Sequence, residues 1–262
     1  GLFLTSPQLL AQSNDQASEF SFQGKTQQVE FRDGRTLELQ NLSNFELPVV
    51  DLATPFTAFK DGTLYLFGGH LGRQHYYHPW NFTRDSFKKD LNKPNSEWRR
   101  LARRPTKAMG STGTAIWGDE IYVFGGFTNN WQPEQGEYQN STEPRVNSQY
   151  WESSTAIDVF NTKTQTWTQL ENTGFPPISS AGVVQLGHRV YFVGGWNASN
   201  REVYEKLGYF DLQTLEFIWT DIELPSPRRA VISKALNEDS FVMLGGLGAG
   251  KEAWKFDILS EQ

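Results

Sequence analysis

The sequence predicts an all-β fold made of one unit repeated along the chain. Three observations predict it. The chain is rich in aromatics and glycine, with 9 Trp, 9 Tyr, 19 Phe and 23 Gly in 262 residues. Aromatic side chains fit pleated surfaces, and glycine fits tight turns. No long run carries apolar residues at helical spacing. Finally, a Gly-Gly pair closes each of four similar segments.

The elements follow in chain order. Residues 1–13 begin with an apolar stretch, Gly1 to Leu10, and end in Ala11-Gln12-Ser13. Small residues at that spacing resemble the tail of a secretory signal peptide with cleavage after Ser13. The expected location is therefore the periplasm, or a secreted or cell-surface setting. Residues 14–262 are expected to form a single domain. Within it, Phe20–Arg32 supplies one or two strands. Thr36-Leu-Glu-Leu-Gln-Asn-Leu42 supplies another.

The repeats come next. They are Phe59 to Gly69, Ile116 to Gly126, Gln185 to Gly195 and Leu236 to Gly246. Each has a polar turn, then four apolar β-formers, then Gly-Gly. The turn marks a hairpin, and the continuous apolar run marks a strand buried on both faces. The Gly pairs begin at 68, 125, 194 and 245, so the spacings are 57, 69 and 51. Downstream, Phe160 precedes Trp167 and Phe210 precedes Phe217. Trp98 fills the Trp position of the first repeat, and Trp254 and Phe256 lie in the fourth. The repeats span about 56–101, 110–170, 178–222 and 229–258.

A Gly doublet at a period near 50 residues, followed by an aromatic and then Trp, resembles the kelch repeat. The resemblance implies a kelch-type β-propeller of four or five blades. Each blade has four antiparallel strands. The fourth repeat lacks an outer strand, and the segment near 36–42 is expected to supply it and close the ring.

Composition limits the function. The formal net charge is −6. The one basic run, Arg99, Arg100, Arg103, Arg104 and Lys107, is short, so nucleic-acid binding is not expected. There is no Cys, which excludes disulfides, thiolate metal sites and Cys nucleophiles. The copper oxidases that share a kelch-like domain need a Cys, so that activity is excluded too. No segment is apolar over the length needed to span a bilayer. Motifs for nucleophilic, nucleotide or zinc-protease chemistry are missing, and no cofactor is expected.

The candidate site residues lie in two long insertions after the first and second Gly pairs, and just after the third. The first insertion holds Tyr76, Tyr77 and Trp80. The second holds Trp131, Tyr138 and Trp151. Trp196 follows the third Gly pair. Such aromatics beside Asn and Gln suit a glycan, a protein interface, or packing of the loops onto the body. Cations at the repeat linkers, Arg104, Lys107 and Arg228, suit a carboxylate or phosphate. His75 and His78 form an H-x-x-H pair, a weak metal pattern without a helix to set its geometry. The expected function is therefore a non-enzymatic binding module for a protein or glycan. Two alternatives stand beside it. One is a carbohydrate mutarotase resembling the kelch sialic-acid mutarotases, for which Glu120, Glu152 and His188 are the acid/base candidates. The other is a structural subunit of a membrane-associated surface complex.

Overall fold

A computed structural model describes residues 47–72, 76–93, 95–139, 147–248 and 251–258, with the backbone of strands at 27–30 and 36–39. The tail at 1–13 and His75 lie outside the described residues. The chain divides into two compact units, 1–47 and 48–262. In the first, β1 (Gln27–Glu30) and β2 (Thr36–Leu39) form an antiparallel hairpin, with Val29 opposite Leu37. The segment expected to close the ring thus contains a strand, and among the described residues its partner is β1.

The second unit is built from four antiparallel sheets in a propeller arrangement. Blade I contains β3 (Leu52–Ala53), β4 (Phe56–Lys60), β5 (Thr63–Leu71), β6 (Phe82–Asp90) and β7 (Arg99–Arg100). Blade II contains β8 (Thr114–Trp117), β9 (Glu120–Phe124), β12 (Ile157–Asn161) and β13 (Thr166–Leu170). Between its middle strands lies a separate ribbon of β10 (Phe127–Asn129) and β11 (Trp151–Ser153). Blade III contains β14 (Gly182–Leu186), β15 (Arg189–Val193), β16 (Lys206–Asp211) and β17 (Glu216–Glu223). Blade IV contains β18 (Ile232–Ala235), β19 (Ser240–Leu244) and β20 (Ala253–Asp257), three strands among the described residues.

The apolar runs before the Gly pairs are β5, β9, β15 and β19. Each lies in the middle of its sheet, so alternate side chains face the two neighbouring blades. Tyr65 and Phe67 of blade I pack with Ile121, Val123 and Phe160 of blade II. Tyr122 and Phe124 of blade II pack with Phe192 and Phe210 of blade III. Tyr191 and Val193 of blade III pack with Phe241 and Met243 of blade IV. The sheets are thus joined by apolar burial, the largest favourable contribution to folding. Phe160 and Trp167 are directly opposite on β12 and β13, and the Trp167 indole N–H donates to Ala102 O at 2.9 Å, stitching blade II to the preceding linker.

The first Gly of each pair has φ between 52° and 63°, the left-handed region that disfavours a side chain. Three of the four are also crowded by the linker of the next blade. A Cβ on Gly68 would lie 2.7 Å from Ala108 O, and one on Gly125 2.8 Å from Ile178 O. One on Gly194 would lie closer still to Arg228 O. Gly245 has nothing within 4 Å. The sequence makes the four positions look alike, but the environments differ. The far face of blade IV agrees, since Ile232 and Leu244 are 65% and 41% exposed while their blade I counterparts, Phe56 and Phe67, are buried.

Candidate functional site

The residue after each of the last three Gly pairs bridges to the incoming linker of its own blade. The bridges are Met109 to Phe127, Ser179 to Trp196 and Arg229 to Leu247. One repeat position in three blades thereby lines a shared cavity of about 840 Å³. Tyr77, Trp151 and Arg201 from the long loops complete its wall.

Two guanidinium groups stack on two indoles in this cavity. Arg229 lies 4.3 Å from the centre of the Trp196 ring, and Arg201 lies 4.9 Å from Trp151 and 5.6 Å from Trp196. Arg201 also donates to Ser148 O at 2.7 Å. Stacking on an indole holds a guanidinium in place. Among the described residues, Arg229 has no carboxylate within ion-pair range. The buried indole N–H groups of Trp151 and Trp196 and the Ser111 hydroxyl find no hydrogen-bond partner there. These three polar atoms are sealed from solvent, and the reachable charged groups of the cavity are its guanidinium groups. Burial raises the Tyr77 phenol above its ordinary pKa, and the Arg229 cation opposes that shift.

The expected site residues separate into three groups. Tyr77, Trp151 and Trp196 line the cavity. Trp80, Trp131 and Tyr138 form a second aromatic cluster around His78, with the Tyr138 hydroxyl 2.9 Å from His78 Nδ1. Tyr76 touches that cluster edge-on at 6.0 Å from His78, and its carbonyl accepts from Asn81 and the His70 ring. The three cations expected to bind an anion are engaged in the scaffold. Arg104 is fully buried and donates from Nε to Asp158 at 2.6 Å. Arg228 is fully buried too, held by the Ser226 hydroxyl at 2.7 Å and Glu252 at 3.4 Å. The Lys107 ammonium donates to Pro79 O. Burial removes Arg104 and Arg228 from any ligand, which corrects the expectation for both. The cavity cations are instead Arg229, one residue along from Arg228, and Arg201, which no sequence pattern marked.

The acid/base candidates do not converge. Glu120 accepts from the Tyr122 hydroxyl at 2.8 Å, and His188 lies 3.5 Å from Asp211. Both sit where β9 and β15 begin, a strand length from the Gly pairs and the cavity. Glu152, on the β10–β11 ribbon, has its carboxyl pushed up by burial and pulled back by Asn130. Among the described residues, no three His, Asp or Glu side chains gather as a metal set.

This geometry defines a class: a β-propeller whose loop face carries a preformed pocket. The sequence comparisons then supply the family. Residues 48–246 match the KLHDC2/KLHL20/DRC7 kelch-repeats domain, and the chain belongs to that kelch-repeat family. It is 27% identical over 206 residues to Kelch domain-containing protein 1 of Mus musculus, covering 72% of this chain and 47% of that protein. It is 32% identical over 112 residues to Acyl-CoA-binding domain-containing protein 4 of Arabidopsis thaliana, covering 40% of this chain and 16% of that one. The chain thus spans less than half the length of these relatives. Among solved structures it is similar to YjhT, with a TM-score of 0.62 and 19% identity over 84% of this chain and 66% of that one, a likeness of fold.

Proposed function

We propose that this chain is a binding module whose central cavity receives an acidic group of a protein partner. Kelch propellers generally mediate protein interactions, which supports a protein as the partner. The observation that carries the finer reading is the cationic edge of an aromatic cavity wall. Arg229 lies on the Trp196 ring with no carboxylate partner among the described residues, and Arg201 lies against Trp151 and Trp196. Guanidinium prefers carboxylate, which it can hold through two parallel hydrogen bonds. The size also fits, because ligand pockets run from about 300 to 1,000 Å³. An acidic side chain projecting from an extended peptide would be flanked by the indole rings.

The test is fluorescence anisotropy with labelled acidic, neutral and basic peptides of matched length. Acidic peptides are expected to bind preferentially, with affinity falling as salt rises. Arg229→Ala is expected to weaken them at least ~10-fold, about 1.4 kcal/mol. Equal binding of all three classes, or an unaffected Arg229→Ala variant, would refute the reading.

A further inference from the structure

The second aromatic cluster stands apart from the cavity and is built around one exposed ring. Trp80 is 55% exposed. Yet it is firmly held. It lies in a short 3-10 turn (Pro79–Asn81) opened by Pro79, and Lys107 fixes the Pro79 carbonyl. His78, itself 7% exposed, stacks beneath the indole at 4.9 Å and 9°. Tyr138 meets its edge at 5.2 Å, and Trp131 meets Tyr138 at 5.1 Å.

The polar handles behind this ring are spent inward. The Tyr138 hydroxyl lies 2.9 Å from His78 Nδ1 and accepts from Asn129 Nδ2 at 3.2 Å. The Trp131 indole N–H donates to Gly136 O, and its backbone N–H donates to Asn129 Oδ1. The Gln132 and Gln135 side chains cap their own turn. What faces outward is the exposed part of the Trp80 ring.

We propose that Trp80 is a stacking platform for a neutral sugar ring, a second site separate from the cavity. A pyranose presents a flat patch of C–H bonds suited to an aromatic face. Of the clustered rings Trp80 alone is exposed, while His78 is buried and Trp131 and Tyr138 are half-buried, so the platform is one ring rather than a cage. A proline-rich peptide docks in a groove lined by several exposed aromatic rings, and Trp80 is the one exposed ring of this cluster. The platform is fixed before a ligand arrives, so little ordering entropy is lost on stacking.

The experiment is titration calorimetry of the full chain with cellohexaose, chitohexaose and laminarihexaose, and with decaproline and heptalysine as controls. At least one oligosaccharide is expected to bind with Kd below about 10 mM, a weak but measurable affinity. Trp80→Ala should weaken that sugar at least ~10-fold in a protein that still melts cooperatively, because the ring is more than half exposed and outside the strands. Arg229→Ala should leave it unchanged, which separates this site from the cavity. Absence of sugar binding, retention by Trp80→Ala, or binding of a control peptide in place of sugar would each overturn the proposal.

Discussion

Adding a single methyl group at Gly194 and at Gly245 distinguishes a residue that is merely bent from one that is also crowded. The φ angles are 63° and 61°, so alanine meets the same backbone strain at both, roughly 1–2 kcal/mol. At Gly245 nothing else follows, because no atom lies within 4 Å of the added carbon. At Gly194 the carbon would press on the Arg228 carbonyl, which belongs to the linker of blade IV. That oxygen also accepts the Gly195 N–H at 2.8 Å. Moving it costs about 1 kcal/mol for the weakened hydrogen bond and about 1–3 kcal/mol for the overpacking. Gly194→Ala should therefore lose about 3–6 kcal/mol and Gly245→Ala about 1–2 kcal/mol. For a domain of this size 1 kcal/mol moves the melting temperature by roughly 2–4 °C, so thermal melts by circular dichroism resolve the two. Equal losses would refute the assignment of the Gly pair as the seat of the next blade's linker.

Other outcomes follow from the same structure. Asp158→Ala removes the partner of the fully buried Arg104 and also strands Thr106 and Gln169, so a loss of about 3–5 kcal/mol is expected in urea unfolding. Arg229→Ala, by contrast, breaks no ion pair among the described residues and loses its stacking on Trp196, so a smaller loss of about 0.5–1 kcal/mol is expected. Burial holds the His70 and His78 rings below the usual imidazole pKa, with the backbone carbonyl of Tyr76 opposing the shift at His70 and the His70 charge adding to it at His78. The folded state then binds fewer protons than the unfolded one, so stability should be constant above about pH 7 and fall as pH drops below about 6.5. Unfolding midpoints across that window check the sign, and a His70→Asn, His78→Asn double variant should flatten the slope.

The scaffold was legible because its constraints are local. A strand buried on both faces must be continuously apolar. A left-handed turn against a neighbour must be glycine. Phe160 and Trp167 are read as partners because a hairpin sets them opposite each other. The third strand of blade I was harder to find. Its pairing shifts register between Phe67 and Gly69, and a long aromatic insertion precedes it. The site was less legible because its parts come from different blades. Arg228 and Arg229 are identical side chains on consecutive residues, and extended backbone sends one inward and the other to the cavity. Only the fold decides which. Arg104 looked free because its partner, Asp158, is 54 residues away.

The most direct test of the account is selection of a random peptide library against the parent chain and against Arg229→Ala. We expect peptides enriched on the parent to share an acidic group at a fixed position, and that enrichment to vanish on the variant. Enrichment without an acidic group, or the same peptides on both proteins, would contradict the claim that the propeller's central cavity is its recognition site.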